Sequence, residues 1–228
     1  MAIAGGLLVQ AVVNAGAAVS CRITTDGRMG YTREEELPDI VEIRKEETRE
    51  SFGLLGAEDV AWLDYPDADL YRHAGRRRLA GSGRPDPRGG HSGLQNSFTG
   101  ELRSLRPDRL VFLSGNDYHP DHKLVQQEML ISLFHAQGTV WPELGEPIDG
   151  VPPLYELAAY APFAGRPDLQ LLGDEEAFGR KLEAIRVYRS QRQIEALVRE
   201  IEVSGPVEYV RSYPFELYRP DRYRELFS

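Results

Sequence analysis

Cysteine, long apolar runs and an excess of basic residues are all missing from this sequence. Cys21 is the single cysteine among 228 residues, which excludes an intrachain disulfide and favours a reducing, cytoplasmic compartment. The first fifteen or so residues are uncharged. A signal peptide needs a basic start, however, and a membrane span needs about 20 apolar residues. We therefore expect neither a secretion signal nor a membrane span, and we interpret this stretch as a buried or amphipathic helix.

The charge balance argues against a protein that binds nucleic acid. Asp and Glu number 36 against 27 Lys and Arg, and the resulting net charge of −9 disfavours a nucleic-acid partner. Hydrophobic residues make up 41% and charged residues 28% of the chain, as in an ordinary globular protein. A chain of this length can enclose one large core, so we predict a single domain over residues 1–228.

Helical and strand patterns alternate through the first 136 residues. Helices are predicted at residues 2–15, 38–55 and about 120–136, with a further helix that ends at Leu105. Short apolar strands are predicted between them at residues 17–24, 60–63 and 109–113. This alternation indicates an α/β, Rossmann-like fold with a mostly parallel sheet and helices on both faces.

The second half of the chain continues with fewer strands. A strand is predicted at residues 154–160 and a terminal strand at residues 207–217. Residues 174–203 are predicted to be helical, with a break near Arg189 and Ser190.

Residues 71–93 have no apolar period and are predicted to form a long mobile loop. Five arginines lie between positions 72 and 84, among many glycines. Loops of this length are usually functional or disordered. The arginines could meet a carboxylate or a phosphate on a substrate, or they could be a solvated surface, and the sequence leaves both interpretations open.

Polar residues follow three successive predicted strands. They lie at residues 25–27, 64–67 and 114–122. Ligands of open α/β sheets bind at the carboxyl ends of the strands, so these three segments are expected to meet at one site. Asp-Gly and Pro-Asp pairs are also ordinary turn residues, which is the alternative interpretation of each segment alone.

The third segment contains Tyr118-His119-Pro120-Asp121-His122, with two imidazoles and a carboxylate in four positions. Pro120 suits the first turn of a helix, which would place His119 at the cap and let His122 point back over that turn. The two rings could then face one cavity and hold a metal or move a proton, while Asp121 fixes the tautomer of a histidine. Helix capping and surface polarity are the plainer alternatives.

Residues 118–123 resemble the second signature of the PIG-L/LmbE-like deacetylases. These zinc-dependent enzymes remove acetyl groups from N-acetylated amino sugars. Other stretches resemble segments of the family in the same order, at residues 25–27, 44–56, 63–67, 105–108 and 181–191. The resemblance covers roughly residues 1–192, and His-Pro-Asp-His is its specific motif.

The resemblance implies a role for each matching residue. His122 would be a zinc ligand, and His119 would be the catalytic acid that stabilises the oxyanion and helps the amine leave. Asp121 would be a catalytic partner that orients His119, as the carboxylate of a hydrolytic triad does. Asp67 and Arg44 would lie near a small amino-sugar substrate. The reaction would be attack of metal-activated water on an amide carbonyl.

The first signature of the family, a His-Pro-Asp-Asp after the first strand, has no counterpart here. It would supply the other zinc ligands and the general base, so the first strand of the sheet is expected to be absent as well. One explanation is that the chain is truncated at its N-terminus. The other is a catalytically inactive homologue that binds a carbohydrate or a partner. We expect the chain as given to fold poorly or to bind zinc weakly.

Overall fold

Six α-helices and eight β-strands are present in the computed structural model, which describes residues 2–79 and 90–227. The helices are α1 (Ala2–Asn14), α2 (Ile40–Leu54), α3 (Leu94–Leu105), α4 (Pro120–Gln137), α5 (Glu175–Arg186) and α6 (Ile194–Ser204). The strands are β1 (Ser20–Thr25), β2 (Asp59–Tyr65), β3 (Arg77–Arg78), β4 (His91–Ser92), β5 (Leu110–Leu113), β6 (Leu154–Leu157), β7 (Leu169–Leu172) and β8 (Val207–Tyr213).

The α/β class predicted from the sequence is confirmed. Each predicted helix and strand is present with its ends shifted by a few residues, and the predicted break separates α5 from α6. Gly16 and Gly56 follow α1 and α2 with φ angles of 84° and 85°. Glycine adopts this left-handed conformation without the steric cost of a Cβ atom, and it therefore ends both helices.

The strands form a mixed arrangement. β1 pairs with β2 in parallel, and β5 pairs with β6 in parallel. β8 pairs antiparallel with both β6 and β7, which completes the order β5-β6-β8-β7. In the described part of the chain, β1 pairs with β2 alone and β5 with β6 alone. The absence of a first strand stays a prediction.

The ends of the predicted 71–93 loop are ordered. Gly75 donates its amide to the Glu128 carboxylate at 2.6 Å, and β3 pairs with β4 beside it. Arg76 donates to Asn96 at 2.8 Å and stacks on the Trp141 ring. The middle of the predicted loop, residues 80–89, lies outside the described residues, so its mobility stays a prediction.

The largest apolar cluster lies between helices and the first strand pair. Phe52, Ile185 and Val198 are buried there from α2, α5 and α6, together with Cys21 from β1. A second cluster joins α3, α4, β5 and β6 through Leu102, Leu133, Phe112 and Leu154. The first cluster includes a residue of β1 and the second includes residues of β5 and β6, so both pack against strands that precede the polar segments.

The Cys21 thiol is expected to be inert in the folded protein. Burial raises its pKa to about 11, so the reactive thiolate is scarce at neutral pH. A thiol reagent such as DTNB should label Cys21 only after unfolding in urea, and the labelling rate should follow the unfolding rate. Complete labelling of the native protein within the mixing time would contradict this packing.

Candidate active site

The segments after β1 and β2 are joined by the buried carboxylate of Asp26. Its Oδ1 atom accepts the amide of Asp67 at 3.2 Å and that of Arg28 at 3.1 Å. Its Oδ2 atom accepts from the Arg28 side chain at 2.6 Å. The carboxylate therefore holds the 25–28 turn against the 64–68 turn.

Burial by itself would raise the pKa of Asp26, but its hydrogen bonds outweigh that effect. Bonds from the side chain and amide of Arg28 and from the amide of Asp67 favour the charged form, as does the Arg28 charge, and the pKa of Asp26 is lowered.

Stability should consequently decline in acid. A carboxylate with a depressed pKa in the folded state stabilises the protein above its unfolded pKa of about 4, and this contribution is lost as pH falls further. The free energy of unfolding in urea should fall between pH 5 and pH 2.5, less steeply for Asp26→Asn than for the parent. Parallel pH profiles for the two proteins would contradict this role.

Asp121 joins the segment after β2 to the segment after β5. Its buried carboxylate accepts the amide of Ala68 at 2.9 Å. Ala68 has a φ of 62°, a left-handed conformation that is uncommon for a residue other than glycine. The three polar segments predicted to meet therefore do meet, and they are connected by hydrogen bonds that backbone amides donate to carboxylates.

His119 is the N-cap of α4, and Pro120 occupies the first helical position, as predicted. The Nδ1 atom of His119 accepts the amide of Asp121 at 3.2 Å. An accepting Nδ1 atom places the proton of the neutral ring on Nε2, an assignment that follows from the hydrogen bond. His119 thus presents a donor, and the backbone of Asp121 orients it in the structure.

The Nδ1 atom of His122 faces a carboxylate, whereas that of His119 faces a backbone amide. The His122 atom lies 3.1 Å from Oδ2 of Asp117, although the ring is turned away from ideal hydrogen-bond alignment. An ionised carboxylate only accepts hydrogen bonds, so a proton on Nδ1 would turn this contact into an attraction and would leave the Nε2 lone pair free. The centroid of the His122 ring lies 4.9 Å from that of His119. It lies 5.4 Å from the centroid of the Tyr160 ring, which stacks parallel to it.

Asp117 is the residue of the site that sequence reasoning missed. It also accepts the amides of His119 at 2.8 Å and of Tyr160 at 3.3 Å. Burial would raise the pKa of Asp117, but hydrogen bonds from His119, His122 and Tyr160 lower it. Its sequence signal is weak, because an aspartate after Asn116 is typical of an ordinary turn.

The described residues contain a cluster compatible with a metal site. One ligand atom from each of Asp67, His119 and Asp121 lies within 4.8 Å of the others. Zinc in proteins takes imidazole nitrogen and carboxylate oxygen, so the donor types fit that metal. His119 belongs to this cluster and His122 does not, so the role of His122 as a metal ligand stays a prediction.

Arg44 lies against the turn that follows β1. It donates to the carbonyl of Gly27 at 3.4 Å, and the Gln191 amide, turned to present its oxygen, accepts from it at 3.2 Å. The predicted contact between Arg44 and a substrate stays a prediction.

The described helices include none that is both long and apolar enough to cross a membrane.

Fold and site together define an α/β protein with a histidine–carboxylate centre at the carboxyl ends of its strands. The family model described as GlcNAc-PI de-N-acetylase, PIG-L, matches residues 1–131, which is more than half of the chain. The chain therefore belongs to the PIG-L family. No curated protein matches the sequence.

Three solved structures illustrate the fold. The N,N'-diacetylchitobiose deacetylase of Pyrococcus horikoshii has a TM-score of 0.74 and 23% identity, over 99% of this chain and 84% of that one. The 4-carboxy-2-hydroxymuconate hydratase of Pseudomonas putida has a TM-score of 0.70 and 20% identity, over 96% and 93%. A zinc-inhibited teicoplanin deacetylase has a TM-score of 0.59 and 13% identity, over 94% and 95%. Such low identities establish similarity of fold alone.

Proposed function

We propose that this protein is a metal-dependent N-deacetylase that hydrolyses the acetamido group of an N-acetylated amino sugar or a related small glycoside. The observation that carries the proposal is the pair of neighbouring imidazoles, one with its Nδ1 atom accepting the Asp121 amide and the other with its Nδ1 atom facing the Asp117 carboxylate. His119 presents an N–H donor and His122 a free lone pair, with their rings 4.9 Å apart. Membership of a family described as GlcNAc-PI de-N-acetylase supports the choice of substrate class.

Zinc is the metal that the donor set suits. His122 would hold it through Nε2, and Asp67 and Asp121 offer further carboxylate donors, whose oxygens cluster within 4.8 Å with a nitrogen of the neighbouring His119. A bound zinc ion supplies a Lewis acid and a water of lowered pKa. Among the described residues of the site, no side chain offers a nucleophile of comparable strength at neutral pH.

The role of His119 is to donate a hydrogen bond. Its Nε2–H donates to the carbonyl oxygen of the acetamido group as negative charge develops there, which stabilises the tetrahedral state. The proton that the leaving amine takes up is the one that the attacking water releases, so that His119 remains a neutral imidazole throughout. Asp121 fixes this ring, because its amide binds Nδ1 at 3.2 Å while its carboxylate holds the Ala68 turn beside the ring.

The substrate side of the site is assigned to Asp67 and Arg44. A carboxylate oxygen of Asp67 that the metal does not use accepts hydrogen bonds from sugar hydroxyls, and Arg44 donates to the carbonyl of Gly27 in the 27–30 turn. The net charge of −9 fits a small uncharged or weakly charged sugar better than a polyanion. The buried single thiol suits a reducing cytoplasm.

The test is the release of a free amine from N-acetylglucosamine glycosides by the purified chain, with zinc and with chelator. We expect slow turnover, and only with metal, because the chain as given is expected to bind zinc weakly. The alternative of a catalytically inactive module that binds a carbohydrate predicts sugar binding by calorimetry that chelator leaves unchanged, with no amine released. That result would reject the hydrolase and favour the module.

A further inference from the structure

We propose that Asp117 is a positioning residue that fixes the tautomer of His122 and thereby presents its Nε2 lone pair to the metal. The proposal rests on the proposed function insofar as it assigns His122 to a metal. The placement of the proton on His122 is independent of that assignment and can be measured on the metal-free protein.

The Asp117 carboxylate is enclosed by donors from three parts of the chain. Its side chain is 1% exposed. Oδ1 accepts the amide of His119 at 2.8 Å, and Oδ2 accepts the amide of Tyr160 at 3.3 Å. Oδ2 also faces Nδ1 of His122 at 3.1 Å. One carboxylate therefore locates the cap of α4, its first turn and the segment after β6.

The Nδ1 atom of His122 depends on Asp117 for a partner. This atom is shielded from solvent and has no well-aligned hydrogen bond among the described residues. Tyr160 meets the ring face to face, at an angle of 4° between planes, so its hydroxyl is not directed at Nδ1. The Nδ1 atom of the neighbouring His119 is already occupied by the amide of Asp121.

The chemistry of a carboxylate then determines the proton position. If Nδ1 carried a lone pair, it would face the negative Oδ2 atom at 3.1 Å in a position shielded from solvent, which is repulsive. A proton on Nδ1 turns the contact into an attraction, and a slight rotation of the ring aligns the bond. The Nε2 atom is then unprotonated, as metal ligation requires.

Two substitutions separate the effects of this carboxylate. Asp117→Ala removes the acceptor, so the neutral ring of His122 should move its proton to Nε2. Asp117→Asn keeps the shape but offers one oxygen and one NH₂ group to three donors. Its NH₂ group can face His122 only if the tautomer changes, as when asparagine replaces the aspartate of a hydrolytic triad.

The experiment is a long-range ¹H–¹⁵N correlation spectrum of the metal-free protein at a pH where imidazoles are neutral, with His122→Asn used for assignment. We expect the Nδ1–H form of His122 in the parent and the Nε2–H form in Asp117→Ala. Glu208→Gln is the matched control, because Glu208 is a buried carboxylate that pairs with Lys181 and the amide of Leu7 instead of a histidine. It should leave the His122 signals unchanged.

Metal affinity gives the second measurement. Titration with cobalt or zinc should show binding weakened about 10- to 100-fold in both Asp117 variants and unchanged in Glu208→Gln. Asp117→Asn supplies the answer if Asp117→Ala does not fold. The proposal would be overturned if His122 of the parent carried its proton on Nε2. It would also be overturned if a folded Asp117 variant kept the tautomer and the metal affinity of the parent. Failure of the parent to bind metal would instead reject the proposed function, and the tautomer measurement would still decide the role of Asp117.

Discussion

Replacing His122 by alanine is expected to abolish metal binding and turnover together, whereas His119→Ala should leave metal binding intact and lower kcat about 10²- to 10⁴-fold. The physical reason is the opposite proton placement of the two rings. His122 offers a lone pair because Asp117 faces its Nδ1 atom, and His119 offers an N–H because Nδ1 already accepts the amide of Asp121.

The measurement pairs a cobalt titration with single-turnover kinetics on the metal-loaded proteins. His135→Ala is the matched control, because His135 lies near the other end of α4 and packs against Trp141. It should retain both metal affinity and kcat. Equal loss of metal affinity in the His119 and His122 variants would show that both imidazoles are ligands, contrary to the assigned division of roles.

Arg103→Met is expected to lower the free energy of unfolding by at least about 3 kcal/mol, since each unpaired buried polar group costs about 1–3 kcal/mol. The five N–H groups of the buried Arg103 guanidinium face six carbonyl oxygens at distances from 2.7 to 3.3 Å, so one N–H of Nη2 is shared between two oxygens. The acceptors are His135, Ala136, Gly138, Val140, Trp141 and Gly145. Methionine fills a similar volume but satisfies none of these oxygens.

Urea unfolding followed by circular dichroism measures this effect. The exposed Arg109 offers a control, because Arg109→Met should change stability by no more than about 0.5 kcal/mol. Arg103→Lys should restore a minor part of the loss, since an ammonium group has three donors and cannot span six acceptors. A loss below 1 kcal/mol in Arg103→Met would mean that water replaces the guanidinium at the end of α4.

The sequence allowed the principal elements and the meeting of three strand ends to be predicted. Apolar periods mark the helices, and parallel strands necessarily bring their carboxyl ends to one edge. β7 was not predicted, because its four residues are short and largely exposed and therefore lack the apolar run of a core strand. The antiparallel direction of β8 depends on tertiary packing that no local pattern encodes.

The division of roles within the site could be predicted in part. His119 and His122 were identified from their motif, while Asp117 was not, because its significance arises only when Tyr160, 43 residues away, folds onto it. Arg103 was missed for the same reason. Its acceptors lie 32 to 42 residues further along the chain, and an arginine within an amphipathic helix ordinarily faces solvent.

The central claim is tested most directly by acetate release from an N-acetylglucosaminyl glycoside. The release is measured before chelation, after chelation and after zinc is returned. We predict release that chelation removes and zinc restores, with His119→Ala remaining slow at every zinc concentration. Acetate release that persists in chelator, or its complete absence from a folded protein with zinc bound, would contradict the account.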